Sequence, residues 1–256
     1  MGMFDSRVVI VTGGGTGIGR ALATAFHAQG AKVAIASRDP EHLKKAANVI
    51  AARGGPDASG ERLMPIRLDV RVGASAQVAV AQVADAWGGV DVLVNNAGVS
   101  GQNPIDAQDA EADRLWKDII ETNLSGSYHM TRACLPRMAR GGRILNISSV
   151  LGKFGVAGYS AYCAAKHGVV GLTRALAAEL APRGITVNAI CPGMIDTELT
   201  REHASDELLE RLAASYPVPR LGTALEVADL ICFAASEATG YITGASFDIN
   251  GGDLMM

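Results

Sequence analysis

The sequence predicts one doubly wound α/β domain, a parallel sheet with helices on both faces. Three observations predict it. Apolar runs near residues 7–12, 32–37, 62–68, 90–95, 142–148, 184–191 and 245–249 alternate with segments of helical periodicity. Those runs are continuously apolar, as in strands covered on both faces. Neither a linker nor a repeat interrupts the pattern, so residues 1–256 read as a single domain with a seven-stranded sheet. Ligands of such sheets collect at the carboxyl ends of the strands, near the point where strand order reverses. The segments that directly follow strands therefore carry the functional reading.

The first strand runs into Gly13-Gly14-Gly15-Thr16-Gly17-Ile18-Gly19, and a helix with Ile18, Ala21, Leu22, Ala25 and Phe26 on one face follows. A bare strand-to-helix turn leaves free N–H groups at a helix N-terminus, which suits an anion such as a phosphate. The spacing is neither GxGxxG nor a Walker loop, which needs a Lys after the last glycine. Taken alone, it also reads as a tight βα turn.

Ser37 and Arg38 follow the second strand. In dinucleotide folds an acidic residue here accepts from the adenosine ribose, whereas an Arg accommodates a 2′-phosphate, so the chemistry leans towards NADP(H). Asp39 stands beside Arg38 and can compete for it. After the third strand, Asp69-Val70 offers a carboxylate to an adenine amine or, equally, an N-cap to the next helix. After the fourth, Asn95-Asn96-Ala97-Gly98 supplies amides that can lock neighbouring loops and a glycine that admits a ligand closely.

Ser149 ends the fifth strand, and Tyr162 and Lys166 stand at i, i+4 on the helix beyond. A phenol titrates near 10, and a neighbouring ammonium favours its ionised form. Ser149 could hydrogen-bond a carbonyl or alcohol oxygen. A solvated Tyr/Lys face is the plain reading of the pair alone, and the strand-end Ser together with the glycine loop argues against it.

Composition narrows the function classes. Apolar residues make up 48% and charged residues 19%, enough for one large core. A net charge of −3 without a basic stripe excludes a nucleic-acid partner. No run approaches the ~18 apolar residues of a spanning helix, and MGMFDSR lacks a secretory core. The expectation is a cytoplasmic protein with no membrane partner. Cys134, Cys163, Cys191 and Cys232 are scattered, as are His27, His42, His129, His167 and His203, so no metal site is expected.

Thr12 to Gly19 as TGxxxGxG, Asn95 to Gly98 as NNAG, and the set Asn123, Ser149, Tyr162 and Lys166 together resemble the short-chain dehydrogenase/reductase family over nearly the whole chain. The resemblance implies a Rossmann fold in which Gly13, Gly15, Thr16, Gly17, Ile18 and Gly19 cradle a cofactor diphosphate. It implies further cofactor contacts from Asn96, Ala97 and Gly98, and from Pro192, Gly193, Ile195 and Thr197 beside the nicotinamide carboxamide. Ser149 and Tyr162 would polarise a ketone and Tyr162 would supply the proton. Lys166 would lower the Tyr162 pKa and bind the ribose, and Asn123 would hold a water that extends the proton path.

The stretch from Lys166 to Gly193 is similar to the 3-oxoacyl and polyketide ketoreductase branches, although VSGQNP at 99–104 departs from the proline-glycine-glycine pattern of aromatic polyketide reductases. The loop from Met194 to Tyr216 is expected to close over substrate. The helix around 160–181 carries Ala161, Ala164, Ala165, Gly168 and Gly171, small residues that permit close approach. With the resemblance, they imply a homotetramer. The expected function is an NADP(H)-dependent reductase of a 3-oxoacyl thioester or related ketone. The alternatives are an NAD-dependent secondary-alcohol (hydroxyacyl) dehydrogenase and a non-catalytic dinucleotide-binding scaffold. An intact set with a titratable phenol argues against the scaffold.

Overall fold

The computed structural model describes residues 2–53 and 61–255. Strands β1 (Val8–Thr12), β2 (Lys32–Ser37), β3 (Leu63–Arg67), β4 (Val92–Asn95), β5 (Arg143–Ile147) and β6 (Thr186–Pro192) are followed by a two-residue pair, β7 (Ile195–Asp196) and β8 (Gly222–Thr223), and by β9 (Ser246–Ile249). The helices are α1 (Gly17–Ala28), α2 (Pro40–Arg53), α3 (Gly73–Trp87), α4 (Ala110–Ile120), α5 (Gly126–Cys134), α6 (Ser160–Leu180), α7 (Glu198–His203), α8 (Asp206–Ser215) and α9 (Ala224–Ala235). The main sheet has seven strands in the order β3-β2-β1-β4-β5-β6-β9, all parallel. Order reverses between β1 and β4, which places the glycine loop and Asn95-Asn96 side by side.

Alternation along β1 shows how the sheet is sandwiched. Val9 and Val11 face Leu22, Phe26, Val227 and Ile231 from α1 and α9, while Val8 and Ile10 face Val80, Val83, Met130 and Leu180 from α3, α5 and α6. Both faces are dry, which explains the continuous apolar runs.

Two parts differ from the sequence reading. The 194–216 segment is not an irregular loop: it contains β7, α7 and α8, each helix started by a hydroxyl cap. Thr197 Oγ1 accepts from Thr200 N at 3.3 Å, and Ser205 Oγ from Leu208 N at 3.3 Å. The second difference is a π-helical turn over Glu121–Ser125, which joins α4 to α5 and carries Asn123. Such turns widen one helical step and re-aim a side chain. Among the described residues, no helix is long and apolar enough to cross a membrane. Cys134, Cys191 and Cys232 are buried free thiols, and Cys163 is half-buried.

Candidate active site

Each glycine of the first loop has a neighbour that explains it. A Cβ on Gly13 would lie 2.9 Å from the Ala97 Cα, and one on Gly19 would lie 2.1 Å from the Gly13 carbonyl oxygen. Gly13 and Gly17 also hold positive φ, 64° and 46°, a region side chains disfavour. Thr16 starts α1 without a side-chain cap, and no acidic residue occupies the first turn. An anion already stands at this start, because the Glu198 carboxylate accepts from Gly17 N.

Asn96 fixes this loop from the next strand. Its Nδ2 donates to the Thr12 and Gly13 carbonyls at 2.9 and 3.2 Å, while Thr12 Oγ1 accepts from the N–H groups of Asn96 and Ala97 at 3.0 Å each. Asn95 turns the other way. Its Nδ2 donates to Asn146 Oδ1 at 2.8 Å, and Asn146 Nδ2 donates to Thr173 Oγ1 at 2.9 Å. This buried ladder runs from β4 through β5 to α6 and sets the helix that bears Tyr162 and Lys166.

A cleft of about 230 Å³ opens at the reversal point, lined by Gly13, Gly15, Thr16, Ser37, Arg38, His42, Asp69, Val70, Ala97, Gly98 and Thr122. Of the two readings of Asp69, capping fails, because Val72 occupies the N-cap of α3. Asp69 instead lines the cleft, and its carboxylate accepts from Arg71 Nη2 at 2.6 Å, which holds its pKa below the usual carboxylate range.

At the other end, Ser149 closes β5 with its Oγ accepting from Leu151 N at 3.2 Å. Lys166 is 4% exposed and donates from Nζ to the Ile147 carbonyl at 2.8 Å, with the ammonium 5.4 Å from the Tyr162 ring centroid. The Tyr162 phenol is pushed up to about 12 by burial, partly offset by a hydrogen bond with Ser149. Burial dominates, and it also lowers Lys166 itself to about 8. A phenol held at that value is a proton donor at neutral pH.

The buried ammonium has a consequence for stability. Between about pH 8 and 10, the unfolded chain binds a proton on Lys166 that the folded chain does not, so this lysine's burden on folding lessens as pH rises. Lys166→Met removes the burden at every pH. The stability advantage of Lys166→Met over the wild-type protein should therefore narrow from pH 8 to 10, by at most about 1.4 kcal/mol per pH unit, in denaturant titrations. A constant gap would contradict it.

Asn123 is 1% exposed; its Nδ2 donates to the Val99 and Ile119 carbonyls at 2.8 and 2.9 Å, while its buried Oδ1 has no hydrogen-bond partner among the described residues. A Cβ on Gly98 would lie 2.7 Å from that oxygen and 3.7 Å from Lys166 Nζ. An orphaned acceptor beside an ammonium is a place for a polar bridge.

Pro192 ends β6, and Gly193 leads into the 194–216 segment, donating to the Ile249 carbonyl at 2.9 Å. The Ile195 side chain packs into the core, which leaves its backbone for a ligand contact. Thr197 brings its methyl group to 3.3 Å from where a Cβ on Gly17 would stand.

Sequence reasoning missed three features here. Glu198 Oε2 accepts from Gly17 N at 3.1 Å and its Oε1 from Arg20 Nη2 at 2.8 Å, tying α7 to the start of α1. Lys153 Nζ donates to Asp248 at 2.7 Å, tying the turn after Ser149 to β9. His42 joins the cleft wall. All three are single residues without a motif, and only the fold brings their partners near.

A glycine loop packed too closely for side chains at Gly13 and Gly19 and a lined cleft fit the adenosine and diphosphate parts of a dinucleotide. The Ser/Tyr/Lys cluster at the sheet's carboxyl edge completes the site of a nicotinamide-dependent oxidoreductase acting on a ketone or secondary alcohol. Comparisons with known proteins agree. The family model described as enoyl-(acyl carrier protein) reductase matches residues 13–253. The chain is 39% identical over 255 residues to the 3-oxoacyl-[acyl-carrier-protein] reductase FabG of Salmonella typhimurium, covering 99% of each. It is 41% identical over 262 residues to the monensin polyketide synthase putative ketoacyl reductase of Streptomyces virginiae, covering 96% of this chain and 97% of that one. Among solved structures, a glucose/ribitol dehydrogenase-type short-chain dehydrogenase/reductase from Brucella melitensis superimposes with a TM-score of 0.91 at 32% identity, covering 100% of this chain and 99% of that one. Levodione reductase gives 0.90 at 32%, covering 97% and 98%. The chain belongs to the short-chain dehydrogenase/reductase family.

Proposed function

We propose that this protein is an NADP(H)-dependent reductase of 3-oxoacyl thioesters or related ketones, working in a cytoplasmic setting. The observation that carries the reading is the basic, uncommitted wall of the cleft next to an intact catalytic set. Arg38 is exposed there, and among the described residues it has no ion-pair partner. Asp39, its competitor in the sequence, is engaged elsewhere: its Oδ1 accepts from Glu41 N at 2.8 Å and its Oδ2 faces His42 Nδ1 at 3.5 Å. The relatives' names, a 3-oxoacyl reductase and a ketoacyl reductase, support the substrate class.

In this reading, bound NADPH supplies the hydride. Ser149 and Tyr162 converge on the substrate oxygen, polarise the carbonyl, and Tyr162 gives it a proton. Lys166 holds the nicotinamide ribose, and the free Oδ1 of Asn123 holds a water on the path that returns a proton. The α7–α8 segment covers the substrate end of the cleft. Initial rates with NADPH and NADH against 3-oxoacyl thioesters, simple ketones and secondary alcohols test the assignment. NADPH-dependent consumption of a 3-oxoacyl thioester is expected. Faster oxidation of a secondary alcohol with NAD would favour the dehydrogenase reading instead.

The assembly we propose is a homotetramer. Ala161 and Ala165 pack inside the subunit against Ile119, so they serve the fold and not an interface. Ala164, Gly171, Ala175 and Ala178 leave the outer face of α6 exposed and low in relief. Nothing stands within 4 Å of a Cβ placed on Gly171. Light scattering at working concentration should give four times the chain mass, and a monomer would refute the proposal.

A further inference from the structure

We infer that His42 is a determinant of 2′-phosphate selectivity: its ring, held at Nδ1 by Asp39, presents Nε2 to the phosphate that distinguishes NADP(H) from NAD(H). The inference rests on the NADP(H) reading above and adds a residue to it.

Three observations place His42 there. It lines the same cleft as Ser37 and Arg38, although it belongs to the first turn of α2 rather than to the strand-end turn. Gly15 is what admits it: a Cβ on Gly15 would lie 3.0 Å from the His42 Cβ, so the missing side chain lets the start of α2 rest against the glycine loop. Asp39 then orients the ring. Its Oδ1 accepts from Glu41 N at 2.8 Å, which fixes the carboxylate, and its Oδ2 lies 3.5 Å from His42 Nδ1. With Nδ1 on the side of that carboxylate, Nε2 is the ring's other polar atom, and the imidazolium donates from both nitrogens. A phosphate dianion supplies the countercharge for that form.

The surrounding charges favour such an anion. Arg38 precedes Asp39 on the same turn, Lys45 lies one turn further along α2, and Glu41 is held at its start. The glycine loop at 13–19 brings no charge of its own. Asp69, the carboxylate on the opposite wall, is neutralised by Arg71 at 2.6 Å. Ser37 accepts from Asp39 N at 3.4 Å, which leaves its hydroxyl proton to donate. A 2′-phosphate in this cleft would thus meet Ser37, Arg38 and His42 on its wall. The Asp39–His42 pair is about half exposed, 47% and 51%, so it contributes little to stability and its removal should leave the fold intact.

Calorimetric titration with adenosine 2′,5′-bisphosphate and with 5′-AMP reads the 2′-phosphate directly, without turnover. The wild-type protein should bind the bisphosphate more tightly. His42→Gln should reduce that preference by about three- to tenfold, in keeping with a partly screened charged hydrogen bond, with 5′-AMP affinity unchanged. His42→Arg should restore it. If His42→Gln keeps the full preference, or weakens both ligands equally, the role of His42 is overturned while the NADP(H) reading stands. If the wild-type protein does not distinguish the two ligands, both are overturned.

Discussion

Replacing Tyr162 with Phe should lower turnover by at least the ~100-fold typical of a lost general acid, with fold and cofactor binding retained. The substitution removes one hydroxyl from a half-buried ring that packs beside α4, so the packing of the apolar body is kept. What is lost is the proton. Burial holds the phenol at about 12, so it is protonated throughout the neutral range and can give that proton only when negative charge develops on an oxygen beside it. Ser149 hydrogen-bonds the same hydroxyl, and the Lys166 ammonium lies 5.4 Å from the ring centroid. Circular dichroism and NADPH titration of the variant separate a chemical defect from a folding one. Near-normal turnover in a folded variant would remove Tyr162 from the role.

The second large effect is expected at Arg38. Arg38→Ala should weaken NADPH about ten- to a hundredfold and change NADH much less, because charged hydrogen bonds contribute about 1.5–3 kcal/mol each. A guanidinium can pair a phosphate through two parallel donors and stack on the adenine at the same time, which an ammonium cannot. Its field already reaches across the cleft: Arg38 helps to hold the Asp69 carboxyl low. Ser37→Asp should act in the opposite sense, repelling a 2′-phosphate and accepting from ribose hydroxyls, so preference should move towards NADH. Equal affinity of the unmodified protein for both cofactors, untouched by Arg38→Ala, would overturn the cleft's assignment.

Much of this molecule is legible in its residues because the signals are local. Continuous Val/Ile/Ala runs separated by helical periodicity dictate strands buried on both faces, and the seven strands fall within a residue or two of the runs. The bare loop at 13–19 is legible for a related reason: a Cβ on Gly13, Gly14 or Gly19 would strike a neighbour, and Gly17 holds a positive φ. Asn96 is legible as a loop-locking amide. Its neighbour Asn95 is not, because nothing in NNAG tells which amide turns to the glycine loop and which to Asn146.

Charge balance was the least legible layer. The Tyr162/Lys166 spacing suggests a phenol lowered by its lysine, yet burial acts on both groups and moves them the other way. The Arg38-Asp39 neighbours suggest competition, yet the backbone turns Asp39 towards Glu41 N and His42. The caps at Thr197 and Ser205 were present in the sequence, but the short helices they start carry too little periodicity to be seen without them.

The central claim, hydride transfer from NADPH to a 3-oxoacyl thioester with Tyr162 as proton donor, is tested most directly by isotope tracing. The protein is given NADPH deuterated at nicotinamide C4 together with a 3-oxoacyl thioester, and the product is examined by mass spectrometry and NMR. The account predicts a 3-hydroxyacyl thioester with one deuterium on its carbinol carbon, formed at least ~100-fold more slowly by Tyr162→Phe. No deuterated product from any 3-oxoacyl thioester, alongside ready oxidation of secondary alcohols with NAD, would contradict it.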